Sequence, residues 1–316
     1  METKKIGLVL SGGGARGLFA VRVLQRLQKA KFDFTQLKCI SGVSVGSIIG
    51  AMVVQGDLDI LINMFQNIQN KDVYKGKISL KRIVWNRIMG KNHVLDVEPL
   101  HGLLWKYIDL DKAKKGPVFY IGVTDLTTGK FRTFTQHDFN TKEDYIRCIM
   151  ASCSQPVIWA PQKFETRFET VISGSDGGVV TISPIKCVLD SGVDEVIIIN
   201  SCPTNILIVD ELKTMESVLL RTIDLAIAQS FLKDMEDFEK FNKLAKNNKN
   251  IVRHNGYRYY PSTIYQTNLH EDSLNFDDLD LKQMRIDDAD RAFEQTYNEN
   301  INNIPNIFPN HGNKKP

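Results

Sequence analysis

The sequence predicts an α/β fold, a three-layer α/β/α sandwich with a mainly parallel central sheet. Short apolar runs alternate with helix-like stretches up to about residue 201, and strands that alternate with helices form parallel sheets. Residues 6–10 lead through a glycine-rich loop into a helix, and residues 37–41 lead within a few residues into a second helix. With 316 residues, the chain is long enough to bury a large core.

Each element is predicted from the spacing of its apolar residues. From Leu18 to Leu27 they recur every three residues, which is typical of a helix, whereas the continuous apolar run in 194–201 is typical of a buried strand. The predicted strands are 6–10, 37–41, two within 117–135 joined by a Thr-Thr-Gly turn, one within 169–178, 194–201 and an edge strand at 258–264. The predicted helices are 18–31, 47–55, 58–69, 97–108, 142–153 and 209–246.

The order of the elements predicts one domain over residues 1–304. Its motif-bearing core is 5–205, and its helical C-terminal part is 206–304. Residues 305–316 are rich in Asn and Pro and are predicted to form a disordered tail.

The composition argues against several classes of protein. A net charge of +3 gives no reason to expect a nucleic-acid partner. The first residues, METKKIGLVL, hold too short an apolar run for a signal peptide, and no stretch is long enough to span a membrane. The five cysteines lack the spacing of a disulfide framework or a metal site. We therefore expect a cytoplasmic protein with reduced thiols and no metal; no oligomeric state is predicted.

Residues 42–46, GVSVG, match the pattern G-x-S-x-G between a predicted strand and a predicted helix. In that setting the turn is so sharp that Ser44 is held in a strained conformation with its hydroxyl accessible. Gly42 and Gly46 remove the side chains that would collide in the turn. A serine hydroxyl needs a base within hydrogen-bond reach to act as a nucleophile.

Two further motifs accompany this turn. Residues 173–178, SGSDGG, place Asp176 at the end of an apolar strand, where α/β folds carry catalytic groups. Residues 12–17, GGGARG, gather backbone N–H groups before a helix, where a negative charge is expected to bind. That charge belongs either to a nucleotide phosphate or to a reaction intermediate.

Together the three motifs resemble those of the patatin-like phospholipases, G-G-G-x-[RK]-G, G-x-S-x-G and D-G-[GA]. Residues 151–161, ASCSQPVIWAP, are similar to the A-S-x-A-x-P block of that family, except that Ser154 replaces a small apolar residue. The resemblance covers about residues 5–205. It implies a patatin-like fold and a lipid acyl hydrolase that cleaves carboxylic esters of phospholipids.

The resemblance also implies the roles of the site residues. Ser44 would be the nucleophile and Asp176 the general base of a catalytic dyad without histidine. The N–H groups of Gly12, Gly13 and Gly14 would form the oxyanion hole. The supporting motif residues are Arg16, Gly17, Gly42, Gly46, Gly177 and Gly178. This chemistry needs no metal or cofactor.

Three alternatives remain open at this point. The loop 12–17 also fits the dinucleotide pattern G-x-G-x-x-G, although the second strand lacks the acidic residue that would hold a ribose. A Ser-Asp-His triad could instead use His254 or His270. A non-enzymatic scaffold would keep the fold without the chemistry.

The segment 71–91 holds seven basic residues and one acidic residue. If it is helical, Leu80, Ile83, Val84 and Ile88 form one face, with Trp85 and Met89 at its margin and Lys81, Arg82 and Asn86 opposite. Such a helix either packs its apolar face on the core or lies on an anionic membrane surface. The predicted membrane contacts are Lys81, Arg82, Trp85 and Arg87.

Overall fold

The computed structural model of the chain describes residues 4–76, 80–202, 212, 214–248, 250–254, 256–269 and 282–298. An eight-stranded sheet lies at its centre with helices packed on both faces. Four of its strand pairs are parallel and three are antiparallel. The predicted α/β fold with a mainly parallel sheet is confirmed.

The strands and helices alternate along the first two thirds of the chain. The strands are β1 Ile6–Leu10, β2 Leu37–Val43, β3 Val118–Asp125, β4 Lys130–Thr135, β5 Gln162–Glu165, β6 Thr170–Asp176, β7 Glu195–Asn200, β8 Val252–His254, β9 Tyr257–Tyr259 and β10 Thr263–Asn268. The helices are α1 Gly17–Lys29, α2 Val45–Val54, α3 Leu58–Asn67, α4 Asn70–Val73, α5 Leu80–Ile88, α6 Glu98–Tyr107, α7 Leu110–Ala113, α8 Lys142–Cys153, α9 Ile185–Asp190, α10 Met215–Asn248 and α11 Lys282–Phe293.

Five strands form the parallel part of the sheet, in the order β10, β7, β1, β2, β3. Successive residues of the central strand β1 point into different cores. Leu8 and Leu10 pack with α1, α2 and α8, whereas Val9 packs with α9 and α10. This alternation produces two helix layers with the sheet between them.

The C-terminal part differs from the predicted helical region. The predicted edge strand 258–264 is divided at Pro261, which has no N–H to donate to a ladder. Before this proline, β9 pairs with β8 in a separate two-stranded sheet, and after it β10 pairs with β7 at the edge of the main sheet. The predicted tail 305–316 lies outside the described residues.

None of the described helices is both long and apolar enough to cross a membrane. All five cysteines are described and buried, and none of them forms a disulfide bond.

Candidate active site

Ser44 occupies a strained turn between β2 and α2. Its backbone has φ 54° and ψ −131°, which non-glycine residues rarely adopt. Gly42 and Gly46 allow the turn to pack closely against neighbouring backbone. A Cβ on Gly46 would lie 2.6 Å from the carbonyl oxygen of Ser11, and a Cβ on Gly42 would lie 2.6 Å from the carbonyl carbon of Gly46. The strained conformation predicted for Ser44 is confirmed.

Two strands meet end to end along one edge of β3. β2 runs parallel to β3 and ends with Val43 opposite Gly122, whereas β6 runs antiparallel to β3 and ends with Asp176 opposite Val123. β4 occupies the other edge of β3. Because Gly122 and Val123 are neighbours, this arrangement brings together the residue that follows β2 and the last residue of β6.

The Asp176 carboxyl group is buried. Burial raises its pKa from 3.8 to about 7, while hydrogen bonds from the Ser44 hydroxyl and the Gly178 N–H oppose that rise. The Gly178 N–H donates to Oδ1 of Asp176 at 2.7 Å. The Ser44 side chain therefore lies near enough to the carboxyl group to favour its ionised form, and with a pKa of about 7 Asp176 is protonated part of the time at neutral pH.

The C-terminal end of α8 holds both reacting segments by hydrogen bonds. Oγ of Ser152 accepts the N–H of Ser44 at 2.9 Å and donates to the carbonyl of Gly122 at 2.6 Å. The carbonyl of Ser154 accepts the N–H of Asp176 at 2.9 Å. Reasoning from the sequence missed these positioning roles, although the block ASCSQP was the signal that could have found them.

The glycine loop lies beside Ser44. A Cβ on Gly12 would lie 3.1 Å from Cβ of Ser44. The Gly12 N–H is already donated to the carbonyl of Ile182 at 3.2 Å. Among the bonds between described residues, the N–H groups of Gly13 and Gly14 have no acceptor. Gly14 has φ 54°, which favours glycine there. The donors open to a ligand are therefore those of Gly13 and Gly14, and the predicted contribution of Gly12 does not fit this geometry.

The remaining motif residues pack around the two loops. Arg16 is buried, 1% exposed, which fits a role in holding the loop. A Cβ on Gly17 would contact Val45, and one on Gly177 would lie 2.7 Å from the carbonyl oxygen of Gly122. Gly178 supplies the N–H that binds Asp176.

Ser44 opens into a largely apolar cavity. Gly14 and Ala15 of the glycine loop form one side of it. Much of the rest is lined by Met64, Phe65, Val73, Tyr74, Leu103 and Trp159. None of the described residues that line the cavity is charged or a histidine. Such a lining fits a hydrocarbon chain and offers nothing to neutralise a nucleotide phosphate.

His254, one of the two histidines of the alternative triad, is not among the residues that line this cavity. His254 lies in the small sheet of β8 and β9, and its ring stacks on Phe241 with the centroids 4.2 Å apart. His270 lies outside the described residues.

The residues predicted to contact a membrane lie on α5. Trp85 and Arg87 are exposed, whereas Arg82 is half-buried and its Nε donates to the carbonyl of Val94 at 2.7 Å. Contact of these residues with a membrane stays a prediction, and the hydrogen bond holds Nε of Arg82 against the protein. The side chain of Lys81 lies outside the part of the chain that the structure describes.

Known proteins resemble this chain to different extents. A family model described as patatin-like phospholipase matches residues 8–188. Over 58 residues the chain is 41% identical to the lysophospholipase NTE1 of Coccidioides immitis (strain RS), a stretch that covers 18% of this chain and 3% of that protein. The chain thus spans a small fraction of that relative's length. The crystal structure of VipD from Legionella pneumophila aligns with 93% of this chain and 67% of its own, with a TM-score of 0.47 and 13% identity.

Proposed function

This chain belongs to the patatin-like phospholipase family, and we propose that it hydrolyses carboxylic esters of phospholipids through an acyl-Ser44 intermediate. The family supports lipid acyl hydrolysis in general. Ser44 and Asp176 lie together where β2 and β6 meet on β3, and this is the single observation that carries the assignment of a serine–aspartate dyad.

The first half of the reaction transfers the acyl group to the enzyme. Oγ of Ser44 attacks the ester carbonyl carbon while its proton passes to the carboxylate of Asp176. The carbonyl oxygen gains the negative charge, which the N–H groups of Gly13 and Gly14 stabilise. When the tetrahedral intermediate collapses, the bond to the alcohol breaks and Asp176 returns the proton to the departing alkoxide.

The second half releases the fatty acid. A water molecule attacks the acyl-Ser44 carbonyl, Asp176 takes the proton from the water, and collapse of the second tetrahedral intermediate returns that proton to Ser44. The products are the free fatty acid and the regenerated hydroxyl. The apolar cavity beside Ser44 would hold the acyl chain throughout.

The lipid chemistry implies contact with a membrane, and we place the enzyme at a membrane surface rather than across it. All five cysteines are buried and none forms a disulfide bond, which fits a reducing compartment such as the cytoplasm. No cofactor takes part in this mechanism.

The test is hydrolysis of a soluble chromogenic acyl ester by the wild type and by Ser44→Ala and Asp176→Asn. Each variant is expected to lose at least about 10³-fold in kcat/KM, because the two side chains act as one unit. His254→Ala and His270→Ala are the matched controls and are expected to keep wild-type activity.

Three results would contradict the proposal in different ways. Hydrolysis that survives Ser44→Ala would rule out the acyl-Ser44 intermediate. Loss of activity in either histidine variant would indicate a triad. A wild type that hydrolyses no ester and does not react with a fluorophosphonate would indicate a non-enzymatic scaffold.

A further inference from the structure

The helix α5 is oriented with polar side chains inward and apolar side chains outward. Arg82 and Asn86, one turn apart, bind the backbone of the segment that follows: Nδ2 of Asn86 donates to the carbonyls of His93 and Val94. Asn86 is buried, 8% exposed. The alternative in which the apolar face packs on the core is therefore wrong, because carbonyl groups attract the polar side of the helix.

The outward side chains form an exposed apolar face. Val84, Trp85, Ile88 and Met89 are 56%, 62%, 71% and 58% exposed. Large apolar groups that lie together on a surface mark an interaction site. We call these four side chains the α5 face.

The α5 face is attached to the wall of the Ser44 cavity. An antiparallel β-bridge between Lys75 and Asp96 joins the two ends of the segment that contains α5. The returning residues Val94 and Leu95 donate their N–H groups to the carbonyl of Ile158, at 3.1 and 2.9 Å. Val94, Leu95 and Ile158 form a small apolar cluster. Two residues that line the cavity, Tyr74 and Trp159, pack on this cluster.

Val157 belongs to the same region and is strained. Its φ of 72° is an outlier for a β-branched residue, and its side chain is 57% exposed. Backbone strain of this kind persists where the surroundings enforce it, and it concentrates at functional sites. The strained backbone exposes the apolar side chain of Val157 to solvent. Val157 directly precedes Ile158, whose carbonyl accepts the N–H groups of Val94 and Leu95.

The charges around the α5 face are mostly positive. Between residues 71 and 91 the chain has seven basic residues and one acidic residue. Of these, Lys71, Lys75, Arg87 and Lys91 are exposed in the structure. A surface with apolar groups and a basic surround complements a bilayer that contains anionic lipids, since the apolar groups enter the interface and the cations meet the headgroups.

We propose that the α5 face and Val157 dock the protein on an anionic lipid bilayer, beside the cavity that holds the acyl chain. This deepens the proposed function, since the substrate would then enter from the surface on which the enzyme lies. Another protein is the competing occupant of the α5 face, but the binding of a protein would not require the basic residues around that face.

The test is flotation with vesicles of phosphatidylcholine, with and without phosphatidylglycerol. The protein carries Ser44→Ala so that it cannot consume the vesicles. We expect binding to the anionic vesicles and at least about tenfold weaker binding to the neutral ones. Trp85→Ser combined with Ile88→Ser should lower binding to anionic vesicles at least about tenfold, since the apolar area inserted is lost.

Two matched variants complete the experiment. Phe168→Ser removes a more exposed apolar side chain, 81% exposed, from the turn between β5 and β6, and should leave binding unchanged. Arg87→Glu with Lys91→Glu should weaken binding to anionic vesicles without affecting the neutral ones. All these side chains are exposed, so each variant should melt at the wild-type temperature.

The proposal is overturned if the protein binds no vesicles, binds both kinds equally, or binds as well after the Trp85 and Ile88 substitutions. A dimer that these substitutions dissociate, without any vesicle binding, would assign the α5 face to a second copy. Flotation uses no catalysis, so its failure is separate from failure of the dyad, which is seen in hydrolysis and labelling experiments.

Discussion

At the scale of single residues, the proposed chemistry depends on the proton affinity of Asp176. An aspartate at its ordinary pKa of 3.8 is a weak base toward a serine hydroxyl. Burial makes the carboxylate less stable and raises the pKa to about 7, although the Ser44 hydroxyl and the Gly178 N–H favour the ionised form. The result is a base whose proton affinity suits transfer near neutral pH.

This pKa predicts the pH dependence of hydrolysis. Protonated Asp176 cannot accept a proton from Ser44, so kcat/KM should be low in acid, rise with pH and reach half of its maximum near pH 7. The measurement is kcat/KM of the soluble ester between about pH 5 and 9. A profile that is already flat at about pH 5 would mean that the base keeps the proton affinity of an exposed carboxylate.

At the scale of secondary-structure elements, the C-terminal end of α8 positions both Ser44 and Asp176 by hydrogen bonds. Its last residues bind the backbone of Ser44 through Oγ of Ser152 and the backbone of Asp176 through the carbonyl of Ser154. Oγ of Ser154 is turned away and donates to the carbonyl of Met150 at 2.8 Å. This explains why serine fits where the family has a small apolar residue, since its hydroxyl is satisfied within the helix.

These hydrogen bonds predict different effects for substitutions of Ser152 and Ser154. Ser152→Ala leaves the buried N–H of Ser44 without its acceptor, which costs about 1 to 3 kcal/mol and should lower kcat about 10- to 100-fold with little change in KM. Ser154→Ala keeps the carbonyl that binds Asp176 and should retain kcat.

Both variants are measured by steady-state hydrolysis of the soluble ester and by thermal unfolding. If Ser152→Ala lowers the melting temperature but leaves kcat intact, Ser152 supports the fold without positioning Ser44. Equal loss of kcat in both variants would also contradict the specific role of the Ser152 hydroxyl.

At the scale of the whole molecule, the C-terminal part completes the structure of the core. β10 extends the parallel sheet beyond β7, and α11 packs against α1. Arg22 of α1 binds Asp290 of α11 through paired hydrogen bonds of 2.9 and 2.7 Å. We therefore propose that the motif-bearing core and the C-terminal part form one hydrolase domain.

The sequence predicted the local elements of this molecule better than the contacts between segments that are far apart in the chain. The strained turn at Ser44 follows from a short pattern of glycines, and β1 and β2 follow from apolar runs. The meeting of β2 and β6 could not be predicted in this way, because it depends on the antiparallel pairing of Asp176 with Val123. The acceptor of the Gly12 N–H is likewise Ile182, far along the chain. The orientation of α5 depends on carbonyl groups that no helical periodicity reveals.

The central claim is that Asp176 activates Ser44, and covalent labelling tests it most directly. The wild type and Asp176→Asn are treated with a fluorophosphonate, and the modified residue is located by peptide mass spectrometry. We predict that Ser44 carries the label in the wild type and reacts at least about 100-fold more slowly in Asp176→Asn. Labelling of Ser44 at the same rate in both proteins, or no label on Ser44 in the wild type, would contradict the account.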